Sequence, residues 1–129
     1  MKKDFLKWHK CKQVIQNEHP RLFFHEQDIW FCHLGENVGV EQDGRGDEYM
    51  RPVIVLKKFN NEVFWAVPLT MTQKKNKYYF AFKFKEGEVS TAILSQLRLI
   101  DAKRLRYKMG VISKGDSDGL KGKIRQLLA

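Results

Sequence analysis

Between Ile29 and Ile100 the chain is a succession of short β-rich runs broken by turn residues, with no helical stretch separating one run from the next. That ordering constrains the fold more than any single motif, because parallel sheets need a helical crossover between strands and none is available. Ile29-Trp30-Phe31-Cys32-His33-Leu34 is one run and ends at Gly35. Pro52 starts a second, Val53-Ile54-Val55-Leu56 continuing toward Phe59. Asn60-Asn61 is a turn signal, and Val63-Phe64-Trp65-Ala66-Val67 returns as the partner of a hairpin. Pro68 fits only an edge or a strand end, since it has no N–H to give a ladder. After the basic turn Lys74 to Lys77, the stretch Tyr78 to Phe84 alternates. Phe80, Phe82 and Phe84 share one face, and Tyr79, Ala81 and Lys83 the other. Ala92 to Ile100 reads as one further strand. The glycine- and acid-rich stretch Gly35 to Met50 reads as a long loop.

Helices are expected only at the ends. Residues 4–16 place Phe5, Trp8, Cys11 and Ile15 at three- and four-residue spacing, and His19-Pro20 stops the run. The stripe is narrow, which predicts a helix lying on a surface rather than building a core. Leu120, Ile124, Leu127 and Leu128 mark a C-terminal amphipathic helix. The expected class is therefore mainly β with terminal helices, a small antiparallel barrel. It occupies one domain over residues 1–129, with an N-terminal helical extension over 1–19 and the barrel and C-terminal helix over 26–129.

Charge is distributed unevenly. Residues 1–25 carry six basic and two acidic side chains, net +4; residues 26–50 carry one basic and seven acidic, net −6; residues 51–129 carry seventeen basic and six acidic, net +11. A basic body with one acidic insert points to an anionic partner, nucleic acid or acidic protein. No stretch approaches the roughly 20 apolar residues that span a bilayer, and Asp4, Trp8 and His9 interrupt any signal-peptide core. A cytoplasmic protein with Cys11 and Cys32 as free thiols is the expectation. His9, His19, His25 and His33 lack metal-ligand spacing, so no metal and no cofactor are expected. Gly44-Arg45-Gly46 lacks the Lys-Ser/Thr of a phosphate-binding loop.

The run Asp28 to Gly35, then Gly39-Val-Glu41-Gln42-Asp-Gly44, then Arg51-Pro52-Val-Ile-Val resembles the opening of MazF/PemK toxins: a strand, an acidic-amide-glycine loop and an Arg-Pro beginning the next strand. Val67-Pro68-Leu69-Thr70 is similar to that family's Pro-x-Thr at the end of its third strand. Ser95-Gln96-Leu97-Arg98-Leu99-Ile100-Asp101, Arg104-Leu105 and Lys108-Met-Gly110 continue the match, which covers about residues 28 to 128. The resemblance implies an SH3-like barrel of the MazF/PemK/CcdB type that forms a homodimer. It further implies metal-independent cleavage of single-stranded RNA at specific sequences by attack of the RNA's own 2′-hydroxyl, which inhibits translation and growth. An acidic antitoxin protein is the implied partner.

Such a reaction needs a proton acceptor, a stabiliser of phosphoryl charge and a donor to the leaving oxygen. Arg51 suits charge stabilisation, since a guanidinium stays protonated and offers parallel donors to two phosphate oxygens. Thr70 would hold a phosphate oxygen or the 2′-hydroxyl. Glu41 could accept a proton, orient Arg51 or simply fix the loop. Gln42 and Gly44 of the loop, with Lys74, Lys75 and Lys77 after Thr70, would contact RNA, and Tyr78 or Trp30 would either stack on bases or fill core positions. Two departures stand out. The loop between Gly44 and Arg51 is longer than usual and acidic, and the Arg-x-Asp acid–base pair that some members carry is replaced by Ile93-Leu94-Ser95. These departures support a second reading, a non-catalytic SH3-like toxin or binding barrel acting on a protein target such as gyrase.

Overall fold

The structure, a computed structural model, describes residues 5–18, 21–34 and 50–129. It is mainly β with a helix at each end: α1 (Phe5–Glu18), β1 (Asp28–His33), β2 (Met50–Lys58), β3 (Val63–Thr70), β4 (Tyr79–Lys85), β5 (Glu88–Ile93), β6 (Arg98–Asp101), β7 (Leu105–Val111) and α2 (Lys114–Leu128). The strands form one curled antiparallel sheet in the order β4-β5-β3-β2-β1-β7, with β6 also paired to β3.

The β2–β3 hairpin forms as its sequence predicts. The Asn60 side-chain carbonyl accepts from the N–H of Glu62 (2.7 Å) and of Val63 (3.0 Å), closing the turn. Pro52 does not start β2, however. Pairing with β1 carries the strand back through Cys32↔Arg51 to His33↔Met50. The β2–β3 ladder begins only at Val53, so Pro52 sits where β2 is paired on one side alone.

Pro68 lies inside β3, opposite Val53, and not at a strand end. Its position is explained by β3's other edge, which is shared by two strands: Val63–Ala66 pairs with β6 and Leu69–Thr70 with β5. Pro68 falls in the gap where one partner gives way to the other, the place where a missing N–H costs no ladder bond. The same division breaks the strand expected over Ala92–Ile100. Three steps along β3, from Ala66 to Leu69, face six along the partner, from Arg98 to Ala92, and a 3-10 turn at Leu94–Gln96 takes up the surplus.

Both faces of the central strands are covered, which is why Val53-Ile54-Val55-Leu56 is apolar without alternation. One face packs Trp30, Cys32, Val53, Val55, Phe64 and Ile100 with Phe24 from the segment before β1. The other packs Ile29, Ile54, Val67 and Leu69 against Leu120 and Ile124 of α2, with Phe82 buried there and Phe80 and Phe84 alongside. The aromatic face read in β4 is thus a core face. Helix α2 starts earlier than its leucines indicate, at Lys114, because the Ser113 hydroxyl accepts from the Asp116 N–H (3.1 Å) and caps it.

Helix α1 matches the expected span closely and docks by Trp8 and Ile15, with Cys11 alongside, on a small satellite cluster. The Arg104 guanidinium lies 5.6 Å from the Trp8 ring centroid and Lys12 Nζ 5.8 Å from it. Asp4, His19 and Pro20 lie outside the described residues. No helix among the described residues is long and apolar enough to cross a membrane.

Neither cysteine is in a disulfide. Cys32 is fully buried, and burial pushes its thiol up to about 12 against the smaller opposing effect of the Arg104 and Arg98 charges. Thiolate is the reactive form, so iodoacetamide at pH 8 is expected to label Cys11 alone in the folded protein and both cysteines in urea. Mass spectrometry of the labelled protein checks this.

Candidate active site

Where β3 passes its proline, the end of the sheet opens into a cleft of about 390 Å³. Arg51 and Thr70 both line it. The β2–β3 register runs Ile54↔Val67, Val53↔Pro68, and continuing it by two residues places Arg51 level with Thr70. Two residues nineteen positions apart in sequence are thereby brought to one cleft through hairpin geometry.

Arg51 is 6% exposed, and its Nη1 donates to the Leu69 carbonyl at 3.2 Å. The bond ties the guanidinium to the residue before Thr70, so the two candidate groups are held by the same stretch of backbone. A guanidinium has five N–H donors in a fixed plane, so a single bond of this kind orients it. Thr70 Oγ1 accepts from the Thr72 N–H at 3.2 Å. With that oxygen engaged as acceptor, the hydroxyl hydrogen is the group able to donate into the cleft.

The opposite wall comes from the β4–β5 hairpin. Lys85 pairs with Glu88 across a two-residue connection in which Gly87 has φ +78°, the left-handed value that favours glycine. Both Lys85 and Glu88 line the cleft, and so does the buried Ser90. A further wall is aromatic: Phe31 lines the cleft and stacks on Tyr107 with centroids 5.3 Å apart and planes 8° from parallel. Tyr107 is 52% exposed. The result is a guanidinium, an ammonium, hydroxyls and one carboxylate beside an aromatic shelf. That set can hold a phosphodiester and stack an unpaired base.

Other residues singled out in the sequence fall differently. Lys74, Lys75 and Lys77 are exposed in the segment after Thr70 and do not line the cleft, though Met71 and Thr72 of that segment do. Lys74 lies over Tyr79 (5.6 Å) and Lys77 over Tyr78 (5.2 Å). Trp30 is a core residue, its Nε1 donating to Asp28 Oδ2 at 3.1 Å, and cannot stack on a base. Ile93 and Leu94 are buried apolar residues. Glu41, Gln42 and Gly44 lie outside the described residues. Among those residues no cluster of His, Cys, Asp and Glu has the form of a metal site. Lys85, Glu88 and the Phe31–Tyr107 stack were not singled out in the sequence. The Glu86-Gly87 pair after the alternating β4 run is the one sequence signal that could have pointed to that hairpin.

Comparison with known proteins places the geometry in a family. Residues 25–128 match the family described as PemK-like, MazF-like toxin of type II toxin-antitoxin system. The chain belongs to that family. No curated protein matches it by sequence. Among solved structures it is similar to MazF from Deinococcus radiodurans, with a TM-score of 0.69 at 18% identity, covering 83% of this chain and 97% of that one. An endoribonuclease in complex with its cognate antitoxin from a mycobacterial species gives 0.64 at 12% identity, covering 82% and 95%. The MazE–MazF complex of Deinococcus radiodurans gives 0.62 at 16%, covering 84% and 98%. At these identities the structural likeness concerns the fold.

The cleft is close-packed from behind. A Cβ on Gly110 of β7 would come within 2.9 Å of the Phe84 ring, and Phe84 is a lining residue. Gly110→Ala is therefore expected to push Phe84 toward the cleft and cost about 1–3 kcal/mol, the usual range for overpacking. Urea denaturation measures the loss, and Gly110→Ala combined with Phe84→Leu should recover most of it.

Proposed function

We propose that the protein is a toxin endoribonuclease that cuts single-stranded RNA in this cleft by internal attack of a 2′-hydroxyl, and thereby inhibits translation and growth. The observation that carries the reading is the pairing of Arg51 with Thr70 in one cleft of a chain that belongs to the MazF/PemK family. In the proposed step the 2′-oxygen forms a bond to the adjacent phosphorus as the bond from phosphorus to the 5′-oxygen breaks. The 2′-hydroxyl proton passes to a base and the leaving oxygen gains one. A cyclic phosphate and a 5′-hydroxyl result, so the atoms balance without metal or cofactor.

Arg51 offers N–H donors to the phosphoryl oxygens, whose charge grows in the transition state. Thr70 donates to a phosphate oxygen or positions the 2′-hydroxyl. Among the described lining residues Glu88 is the sole carboxylate, which makes it the proton acceptor there, with Glu41 the alternative from the sequence. Lys74, Lys75, Lys77, Gln42 and Gly44 are assigned to RNA strands entering and leaving the cleft. A cytoplasmic homodimer neutralised by an acidic antitoxin completes the reading; in the solved complexes the toxins are bound by their antitoxins. The alternative, a non-catalytic barrel acting on a protein target, has no counterpart to a cleft that combines Arg51 with hydroxyls.

Two measurements test the reading. Purified wild type incubated with long single-stranded RNA in EDTA should give discrete cuts with 5′-hydroxyl ends. Arg51→Ala should keep its circular dichroism spectrum and lose at least about 10³-fold in rate, the scale of a lost transition-state donor; undiminished cutting by Arg51→Ala would remove it from the mechanism. If Glu88 is the base, Glu88→Gln lowers the rate by about 10²–10⁴-fold and abolishes the acidic limb of the pH–rate profile. An unaltered acidic limb in that variant assigns the proton to another group.

A further inference from the structure

A second concavity, of about 430 Å³, lies between α1 and the 3-10 turn Ala102–Arg104 that connects β6 to β7. One wall is His9, Lys12 and Gln13 of α1 and the other is Lys103 and Arg104. The family match begins at residue 25, so half of this groove is built by a helix that the family pattern does not include.

The groove is electropositive. Its one carboxylate, Asp101, is held by the Arg21 guanidinium through Nε (3.1 Å) and Nη2 (3.0 Å) and also accepts from the Lys103 N–H (2.8 Å). Burial pushes the Asp101 pKa up, but the hydrogen bonds from Arg21 and Lys103 outweigh it and leave the carboxyl below its ordinary value. Asp101 is therefore ionised and bonded to Arg21, and the groove's lining sets three cations, Lys12, Lys103 and Arg104, against that one carboxylate. Burial first, and then the neighbouring charge of Arg98, destabilise the Arg104 cation, a situation that an incoming anion relieves.

Position decides which anion. Leu105, Cys32 and Arg51 lie side by side on β7, β1 and β2. At about 4.8 Å per strand spacing, the chain leaves the Ala102–Arg104 turn only about 10 Å from the Arg51 backbone. Arg104 Nη1 also donates to the carbonyl of His33 (3.2 Å), and His33 pairs with Met50 of the cleft wall. An acidic peptide segment would need apolar pockets for its side chains, and Ile15 is the one apolar residue among those lining the groove. A bare phosphate backbone needs only cations and N–H donors.

We propose that the groove between α1 and the Ala102–Arg104 turn binds phosphates of the RNA strand flanking the cleavage cleft. This rests on the ribonuclease reading for its ligand. It gives the N-terminal helix a role: to lengthen the phosphate track and raise affinity for long RNA without taking part in the chemistry.

The test is equilibrium binding of wild-type protein to a fluorescein-labelled 30-nucleotide 2′-O-methyl RNA of mixed sequence, which has no free 2′-hydroxyl to attack. It is followed by fluorescence anisotropy across a salt series. Lys12→Glu/Lys103→Glu is compared with Lys83→Glu/Lys114→Glu, which makes the same change in net charge at exposed positions away from both clefts. The groove variant should lose about tenfold or more in affinity at 0.1 M salt. Its salt slope should fall by about 1.4, at about 0.7 per single-strand phosphate contact. Arg104 is left intact because it supports the fold, and melting curves confirm that both variants are folded.

Equal losses in both variants, no loss in the groove variant, or no binding by wild type would each overturn the proposal. So would a groove variant that keeps RNA binding but no longer binds poly-glutamate, which would assign the groove to an acidic protein. Cleavage of unmodified RNA by wild type is scored separately. Binding shifts without cleavage would retain the groove and remove the nuclease reading, and cleavage without binding shifts would do the reverse.

Discussion

Much of this molecule depends on one strand edge serving two masters. β3 keeps β2 along one side, while its other side is taken by β6 over Val63–Ala66 and by β5 over Leu69–Thr70. A strand cannot pair with two neighbours at one position, so the ladder is interrupted between them, and Pro68 occupies the interruption. The β4–β5 hairpin is thereby splayed from the rest of the sheet, and the space it leaves is the cleft that holds Arg51 and Thr70. Proline also prevents the two pairings from merging, because it cannot donate a ladder bond that would let β6 slide into the gap. A feature that looks like a flaw in a strand is what makes the sheet end in a site.

A second constraint fixes the other side of the sheet. The buried Asp28 carboxylate accepts from the His25 N–H (2.8 Å) and Trp30 Nε1 (3.1 Å), and Lys108 Nζ lies 3.2 Å from its other oxygen. Beside it Gln27, at φ 76°, donates its N–H to Val55 and accepts from Ile112. One short turn therefore ties the start of β1 to both β2 and β7. A carboxylate buried to this degree is stable only when each oxygen is matched, and here the matching partners come from the segment before β1, from β1 itself and from β7. Phe31, three residues on, is consequently held in register to stack on Tyr107 at the cleft wall.

The sequence disclosed these arrangements unequally. The hairpin at Asn60-Asn61, the aromatic face of β4 and the Trp8, Cys11 and Ile15 part of the α1 stripe are local patterns, and they appear in the structure as read. β7 was not legible: it runs Leu-Arg-Tyr-Lys-Met-Gly-Val with two register shifts against β1, so its side chains do not alternate by face. The break between β5 and β6 was hidden for a different reason. It is dictated by what β3 offers on its edge, which is a tertiary fact. Pro52 was read as a strand start and Pro68 as a residue for an edge or a strand end; both are inside strands, at local edges where a neighbour is missing on one side. Arg51 and Thr70 were legible through family resemblance, whereas Lys85 and Glu88 depend on where the hairpin folds back, which residue type alone does not reveal.

The departures from the family pattern bear on the proposed chemistry. Ile93 and Ser95 stand where some members carry a charged acid–base pair; Ile93 is buried in the core and Ser95 is a hydroxyl, so neither supplies a titrating group to the proposed reaction. Proton transfer in the proposed reaction then falls to Glu88 at the start of β5 or to Glu41, while Arg51 supplies charge stabilisation from a guanidinium that stays protonated. The two demands of the reaction are thus separated in space and in pH behaviour. Since the guanidinium is constant, an acidic limb in the pH–rate profile reports the proton acceptor, and an alkaline limb reports the group that protonates the leaving oxygen.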